Sequence, residues 1–392
     1  MIYLDNAATT KTDPRVVEAM LPYLTEQYGN PGSLYALGAE AKKAVDKARE
    51  QVADLIGAYP HQIVFTSGGS EANSLVFGGI ENYLAKTGRT HLVVSQTEHD
   101  SVLKAAENIS MKAQFYAGYV PPEEDGSVTP HSVRNGFAYR DGSLFTGLVS
   151  VMHVNNETGV ENDVASIGEL CHTNGVLFHT DCVQAASCCS IDVEKINCDF
   201  LSLSSHKLHG PKGVGALFVS EPERLSPLIH GGAFQEFGLR GGTENVAGIV
   251  GFGKACELTK ASLHDDDVHT SMLKQVFYNN LIQFLSEAGM EDVVHVNGGL
   301  VIRHGRILNL RFDGVDGETL LLLLDRMGVC VSAGSACNSR EQIPSHVLVS
   351  MGLSDEQARG SVRLSFSREN TEEEAITAAR IIADCVSRLR SI

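Results

Sequence analysis

In "LSLSSHKLHGPKG", residues 201–213, Lys207 stands beside His206, with His209 two residues further on. The alternating apolar and hydroxyl residues before it read as a buried strand, which puts the amine at a strand end. A surface lysine needs no such setting. An amine that is partly desolvated beside a cationic ring loses its proton readily and becomes a nucleophile suited to a carbonyl. Other strand ends carry further reactive types. After "QIVFT" comes "SGGSEANS", where the Gly69 backbone and the Ser70 hydroxyl open a helix and suit a phosphate. His99 follows "HLVVSQ", and Asn155, Asn156 and Glu157 follow "VSVMHV". Asp181 and Gln184 follow "VLFHT", and Ser204, Ser205 and His206 follow "DFLSLS". Each has a plainer reading on its own: His99 and Asp181 as helix caps, the asparagines as turn formers.

Together they make a different case, because ligands of open α/β sheets gather at the carboxyl ends of strands. A lysine for a Schiff base, a carboxylate, an imidazole, amides and an anion nest are the inventory that holds pyridoxal phosphate. Asp181 would keep the ring nitrogen protonated, since opposite charges in contact favour both ionised forms. His99 would stack on the ring, and the hydroxyls of Ser70 and Ser204 would take phosphate oxygens.

Those ends need a framework, and short β-rich runs alternating with amphipathic helices supply one. The pattern predicts a mostly parallel sheet covered by helices on both faces. Helices are expected from Asp13 to about Glu26, from Ala36 to Ile56 before Gly57, near Ser70, near Asp100 and over "DVASIGELCHTN". Beyond about residue 255 the grain changes to helices at about 267–288 and 317–327, then one opened by a Thr371–Glu374 capping box. The expected division is 14–255 as a large cofactor-binding domain. Residues 1–13 and 256–392 would form a smaller α+β domain.

Bulk properties narrow the function. A formal net charge of −17 over 392 residues argues against a nucleic-acid surface. No apolar run approaches the ~20 residues of a membrane span, and "MIYLDNAATTK" has neither a basic nor an apolar leader region, so a cytoplasmic protein is expected. The nine cysteines include no C-x-x-C, which favours reduced structural thiols over a disulfide framework. No Cys/His set has zinc-ligand spacing, and no metal is expected.

With these residues in hand, the sequence resembles a cysteine desulfurase of the class-V pyridoxal-phosphate-dependent aminotransferase family, in its long catalytic-loop group. The resemblance rests on "YLDNAATT", "YGNPGS", "FTSGGSEANS", "TEHDSVL", "MHVNNETG", "HTDCVQ", "SSHKLHGPKG", "LRGGTEN", "SAGSACNS" and "VRLSFSR", in family order from residue 3 to about 368. It implies the fold-type I architecture with a seven-stranded sheet. It also implies that Lys207 forms the Schiff base, Asp181 pairs with the pyridine nitrogen, and His99 stacks and moves protons. Gln184 and Asn156 would meet the phenolic oxygen, and Asn156 would also lie near substrate. Gly69, Ser70, Ser204, Ser205 and His206 would serve the cofactor and its phosphate. Thr243 would reach the phosphate of a neighbouring subunit in a homodimer. Arg363 would clamp the carboxylate of L-cysteine with a bidentate fork.

The segment from Ala333 to Pro344 is small or polar and without periodicity, as functional loops are, and carries Cys337. The resemblance implies that Cys337 takes sulfur from L-cysteine as a persulfide, leaving L-alanine. The sulfur would pass to an acceptor protein, an iron–sulfur scaffold or a tRNA- or DNA-thiolation enzyme. Tyr35, His209 and Asn338 depart from common family residues, and "RLRSI" is not followed by the tail with which some relatives dock the scaffold. A specialised acceptor is therefore also open. So are a selenocysteine lyase or another class-V lyase or aminotransferase, and, from another class, a non-catalytic sulfur carrier.

Overall fold

The computed structural model describes residues 1–298, 305–332 and 343–391. Their strands, in chain order, begin with β1 (Ile2–Tyr3), β2 (Ile63–Thr66), β3 (His91–Ser95) and β4 (Tyr116–Val120). A short hairpin of β5 (Tyr139–Arg140) and β6 (Ser143–Leu144) leads into β7 (Thr146–Ser150), β8 (Leu177–Asp181), β9 (Phe200–Ser204) and β10 (Gly215–Val219). The last four are β11 (Val294–Val296), β12 (Ile307–Phe312), β13 (Val329–Cys330) and β14 (Ser361–Ser365).

Seven of them form one sheet in the order β2-β10-β9-β8-β7-β3-β4, parallel except for β10, which runs antiparallel to both neighbours. Every residue of β2, β3, β7, β8, β9 and β10 is buried. That explains their near-continuous apolar sequences, because a parallel sheet is covered on both faces. One face packs against a core around Phe65, Phe178 and Phe252, the other against a core around Phe77, Leu92 and Phe200. The α/β expectation holds.

Around the second core, β11, β12 and β14 form an antiparallel sheet. The chain's first residues join this part: β1 pairs in parallel with β13, and Leu4 is buried with Leu273, Phe277 and Phe366. No helix among the described residues is long and apolar enough to cross a membrane.

Two helix expectations need correction. The first helix ends at Met20 and a separate turn covers Pro22–Thr25, because Pro22 has no N–H to continue the ladder. The helix expected at 267–288 instead runs from Val246 to Glu287, 42 residues, capped by the Asn245 side chain on Gly248 N–H. Gly248, Gly251 and Gly253 weaken its helical signature. Packing explains the last of these: a Cβ on Gly253 would stand 2.6 Å from Ala48 Cα on the helix Ala36–Ile56. Close approach of the two helices overrides propensity. Ile249, Phe252 and Cys256 of the long helix belong to the large-sheet core, and Leu273, Phe277 and Leu281 to the second.

His179 on β8 lies between Ser150 Oγ (2.8 Å from Nδ1) and Ser202 Oγ (3.1 Å from Nε2), and burial pushes it down to about 3. Burial likewise lowers His206 and His209 to about 4, helped by Lys207 and Lys212 at the first and by Arg368 at the second. In the unfolded chain these imidazoles titrate near 6.5. Between about pH 6.5 and 4 the unfolded state therefore binds more protons, and stability falls as pH falls. Against a His179→Asn variant, a comparison that cancels the opposite contribution of buried Glu98 with its raised carboxyl pKa, the urea midpoint of unfolding should drop more steeply from pH 7 to pH 5. An equal slope in the two proteins would contradict the neutral burial of the His179 ring.

Candidate active site

The carboxyl ends of β2, β3, β7, β8 and β9 converge on a cavity of about 220 Å³. Gly69, Ser70, His99, Asn156, Asp181, Gln184, Ser204, His206, Lys207 and Arg363, ten of the residues singled out in the sequence, line it. Gly69 begins the helix Gly69–Gly79, so unpaired backbone donors of its first turn face the cavity beside the Ser70 side chain.

Lys207 lies in a short 3₁₀ turn after β9. Its Nζ donates to the carbonyls of Ala7 (2.5 Å) and Ala8 (2.7 Å) in the N-terminal arm. The same arm holds both flanking histidines. His206 Nδ1 meets Thr9 Oγ1 at 3.1 Å, and the His206 carbonyl accepts from Thr10 N–H at 3.0 Å. His209 N–H donates to Thr10 Oγ1 at 2.8 Å, and its Nδ1 lies 3.0 Å from the Lys11 carbonyl. Held this way and desolvated, both rings stay neutral near pH 7.

Asp181 ends β8 and is 4% exposed. Its Oδ1 accepts from Val183 N–H at 2.9 Å and its Oδ2 from Asn73 Nδ2 at 2.8 Å. His99 is the N-cap of the helix Asp100–Ser110, its Nδ1 accepting from Ser101 N–H at 3.1 Å, and its ring also faces the cavity. The capping and the site-facing readings are both true of it.

Arg363, on β14 and 2% exposed, donates from Nη2 to Asp5 Oδ1 at 2.7 Å and from Nη1 to the Asn156 carbonyl at 2.9 Å. Backbone hydrogen bonds tie it to Ser332, where the described chain stops before residue 333. Where the chain resumes, Ser345 Oγ donates to Glu157 Oε2 at 2.5 Å and His346 Nε2 lies 2.9 Å from the Glu98 carbonyl. Cys337 and Asn338 lie outside the described residues.

Two predicted residues do not reach the cavity. Ser205 is fully buried with no hydrogen bond to its hydroxyl, and it packs so tightly on Gly210 that a Cβ there would fall 2.0 Å from Ser205 Oγ. Ser205 is the first residue of the 3₁₀ turn and does not line the cavity, whereas Ser204, the last of β9, does. Thr243 is exposed and borders no part of the cavity in this chain.

Sequence reasoning passed over Asn73, Ser101 and Met152, which also line the cavity. Asn73 sits four residues after Gly69, one helical turn on, and that spacing was a signal for a same-face partner. Glu98, next to His99 after β3, has no role in the sequence reading. It is fully buried, its Oε1 accepts from Met152 N–H, and burial together with the Asp181 charge raises it well above the usual carboxylate range.

Polar atoms around the cavity fit pyridoxal phosphate. Asn156 Oδ1 and Gln184 Oε1 are buried acceptors without a partner, while Gln184 Nε2 is committed to the Ala7 carbonyl at 2.9 Å. Such atoms call for a donor on whatever fills the space. Opposite them stand helix-start amides with two hydroxyls and a neutral imidazole for an anion, and a carboxylate for a ring N–H.

Comparisons with known proteins agree. Residues 2–376 match the model of the aminotransferase class-V family. The chain is similar to the cysteine desulfurase IscS of Methanosarcina thermophila, 41% identical over all of this chain and 93% of that protein. A solved NifS-like protein superposes with a TM-score of 0.87 at 34% identity, covering 99% of each chain. A structure described as SspA in complex with cysteine superposes with a TM-score of 0.79 at 33% identity, over 95% of this chain and all of that one. A lysine, a carboxylate and an anion nest at the ends of parallel strands, matched along nearly the whole sequence, make this chain a member of the pyridoxal-phosphate-dependent aminotransferase class-V family.

Proposed function

We propose that the protein is a cysteine desulfurase that converts L-cysteine to L-alanine and collects the sulfur on Cys337 as a persulfide. The observation that carries this reading is the convergence of Lys207, Asp181, His99 and Arg363 on one cavity. Pyridoxal phosphate, held in this cavity, would supply an electron sink for the α-carbon of an amino acid.

The chain's own residues do the rest. Gly69, Ser70, Ser204 and His206 bind the phosphate. Asp181, fixed by Asn73 and Val183, holds a proton at the ring nitrogen, and Asn156 and Gln184 face the phenolic oxygen. His99, its ring turned by Ser101, covers the ring face. Lys207 would hold the cofactor, and its free amine would take the α-proton of the substrate. The Ala7 and Ala8 carbonyls hold that amine in the cavity. Arg363 turns its guanidinium from Asp5 to the substrate carboxylate; its Nε, buried and without a partner, is one donor for that bond. The segment bearing Cys337 is anchored at both described ends beside the cavity, at Ser332 against Arg363 and at Ser345 against Glu157. The Cys337 thiolate attacks the substrate sulfur, the C–S bond breaks, and its electrons return to the alanine carbon, which is then protonated.

A cysteine complex of a similar chain supports cysteine as substrate. Residues 14–255 serve as the cofactor domain, and 1–13 with 256–392 as the domain presenting Cys337. Leu34 and Phe234 are fully exposed, Tyr28 and Tyr35 largely so, and Phe237 about half, and Thr243 is exposed as well. Such apolar exposure favours a homodimer in which Thr243 reaches the partner's phosphate. The sulfur acceptor is an iron–sulfur scaffold or a thiolation enzyme.

Cys337→Ala should abolish sulfide release from cysteine, by about 100-fold or more, with the yellow cofactor and cysteine binding retained. Unchanged sulfide release would remove Cys337 from the reaction, and selenide release kept alone would favour a selenocysteine lyase. Arg363→Ala should raise KM for cysteine about 10–100-fold, the worth of a charge-assisted pair, with a smaller change in kcat. Asn73→Ala frees one oxygen of Asp181 and should weaken cofactor retention about tenfold in equilibrium dialysis.

A further inference from the structure

Two loops that leave neighbouring strands, 151–162 after β7 and 182–191 after β8, meet beside the cavity. The His153 N–H donates to the Asp181 carbonyl at 3.0 Å, and a bridge between Val154 and Glu161 folds the first loop back on itself. His153 Nε2 thereby lies 3.3 Å from Glu161 Oε1. Cys189 completes the group: the ligand atoms of all three residues lie within 4.8 Å of one another. We propose that His153, Glu161 and Cys189 form a zinc(II) site, with water in the fourth position.

Zinc binds nitrogen and oxygen at about 2.0–2.2 Å and thiolate at about 2.3 Å, so tetrahedral neighbours stand about 3.3–3.7 Å apart. The His153–Glu161 pair already meets that spacing, and Cys189 closes with a movement of about 1 Å. The mixed nitrogen, oxygen and sulfur donors suit a borderline-soft divalent ion better than magnesium or calcium. Metal-bound imidazoles usually have a partner on the second nitrogen, and His153 Nδ1 has one in Cys182 Sγ at 3.8 Å. The adjacent Cys188 Sγ contacts the Gln184 carbonyl at 3.5 Å and Cys189 Sγ at 3.9 Å. An ion pair accounts for His153 with Glu161 and a thiol–thiol contact for Cys189, but neither accounts for all three ligand atoms meeting within 4.8 Å. The Glu161 side chain is 42% exposed, which leaves the ion a route in and a place for water. On binding, the Cys189 S–H bond breaks, a Zn–S bond forms, and one proton leaves to solvent.

The sequence spacing pointed away from metal, and only the meeting of two strand-end loops assembles this group. The proposal does not rest on the desulfurase reading. The test is titration of the holoenzyme with zinc chloride against a chromophoric chelator, in a Cys337→Ala background that removes the loop thiol as a competing ligand. One tight equivalent with release of about one proton is expected. Glu161→Gln and Cys189→Ser should each weaken it about tenfold or more. Failure to take up a tight equivalent, or equal affinity in the variants, would overturn the site. If Cys189→Ser does not fold, Glu161→Gln, altered on a partly exposed side chain, decides alone.

Discussion

The ammonium group of Lys207 is held by carbonyls of the chain's own N-terminus, and the rest of the site is arranged around that contact. A partly buried amine needs acceptors, and Ala7 and Ala8 provide them without adding a counter-charge. Thr9, Thr10 and Lys11 fasten the two histidines on either side, and Asp13 N–H closes the series on the His209 carbonyl at 2.9 Å. The same arm starts as β1, paired with β13 in a two-stranded sheet, and buries Leu4 in the core around Phe277 and Phe366. One short segment therefore couples both cores at the reactive amine.

Desolvation then sorts the charges. His206 is kept neutral and adds no second positive charge beside Lys207. Glu98, raised by burial and by Asp181, leaves Asp181 as the carboxylate that addresses the cavity. Arg363 is held by Asp5 and the Asn156 carbonyl. Low-dielectric surroundings strengthen each of these pairs relative to water.

Much of this was legible in the chain itself. Strand ends announced themselves through buried β-rich runs, and the residues after them carried the site types: Gly69, His99, Asn156, Asp181, Lys207. The helix Ala36–Ile56 and the Thr371–Glu374 capping box were readable because their caps are local chemistry. Less legible were features that depend on a partner far away in sequence. The first half of the helix Val246–Glu287 has three glycines that weaken its helical signature, and only the close packing of Gly253 on Ala48 explains that one.

Sequence by itself determined which chemical groups stand at the carboxyl ends of the strands, because strand periodicity and the residues that follow are short-range properties. Tertiary structure alone decided which of those groups share a cavity. It put Ser204 at the cavity and left Ser205 out of it, added Asn73 as the anchor of Asp181, and brought His153, Glu161 and Cys189 together. The physical reason is that side-chain direction alternates residue by residue, while contact across the sheet depends on strand order, which no local pattern encodes.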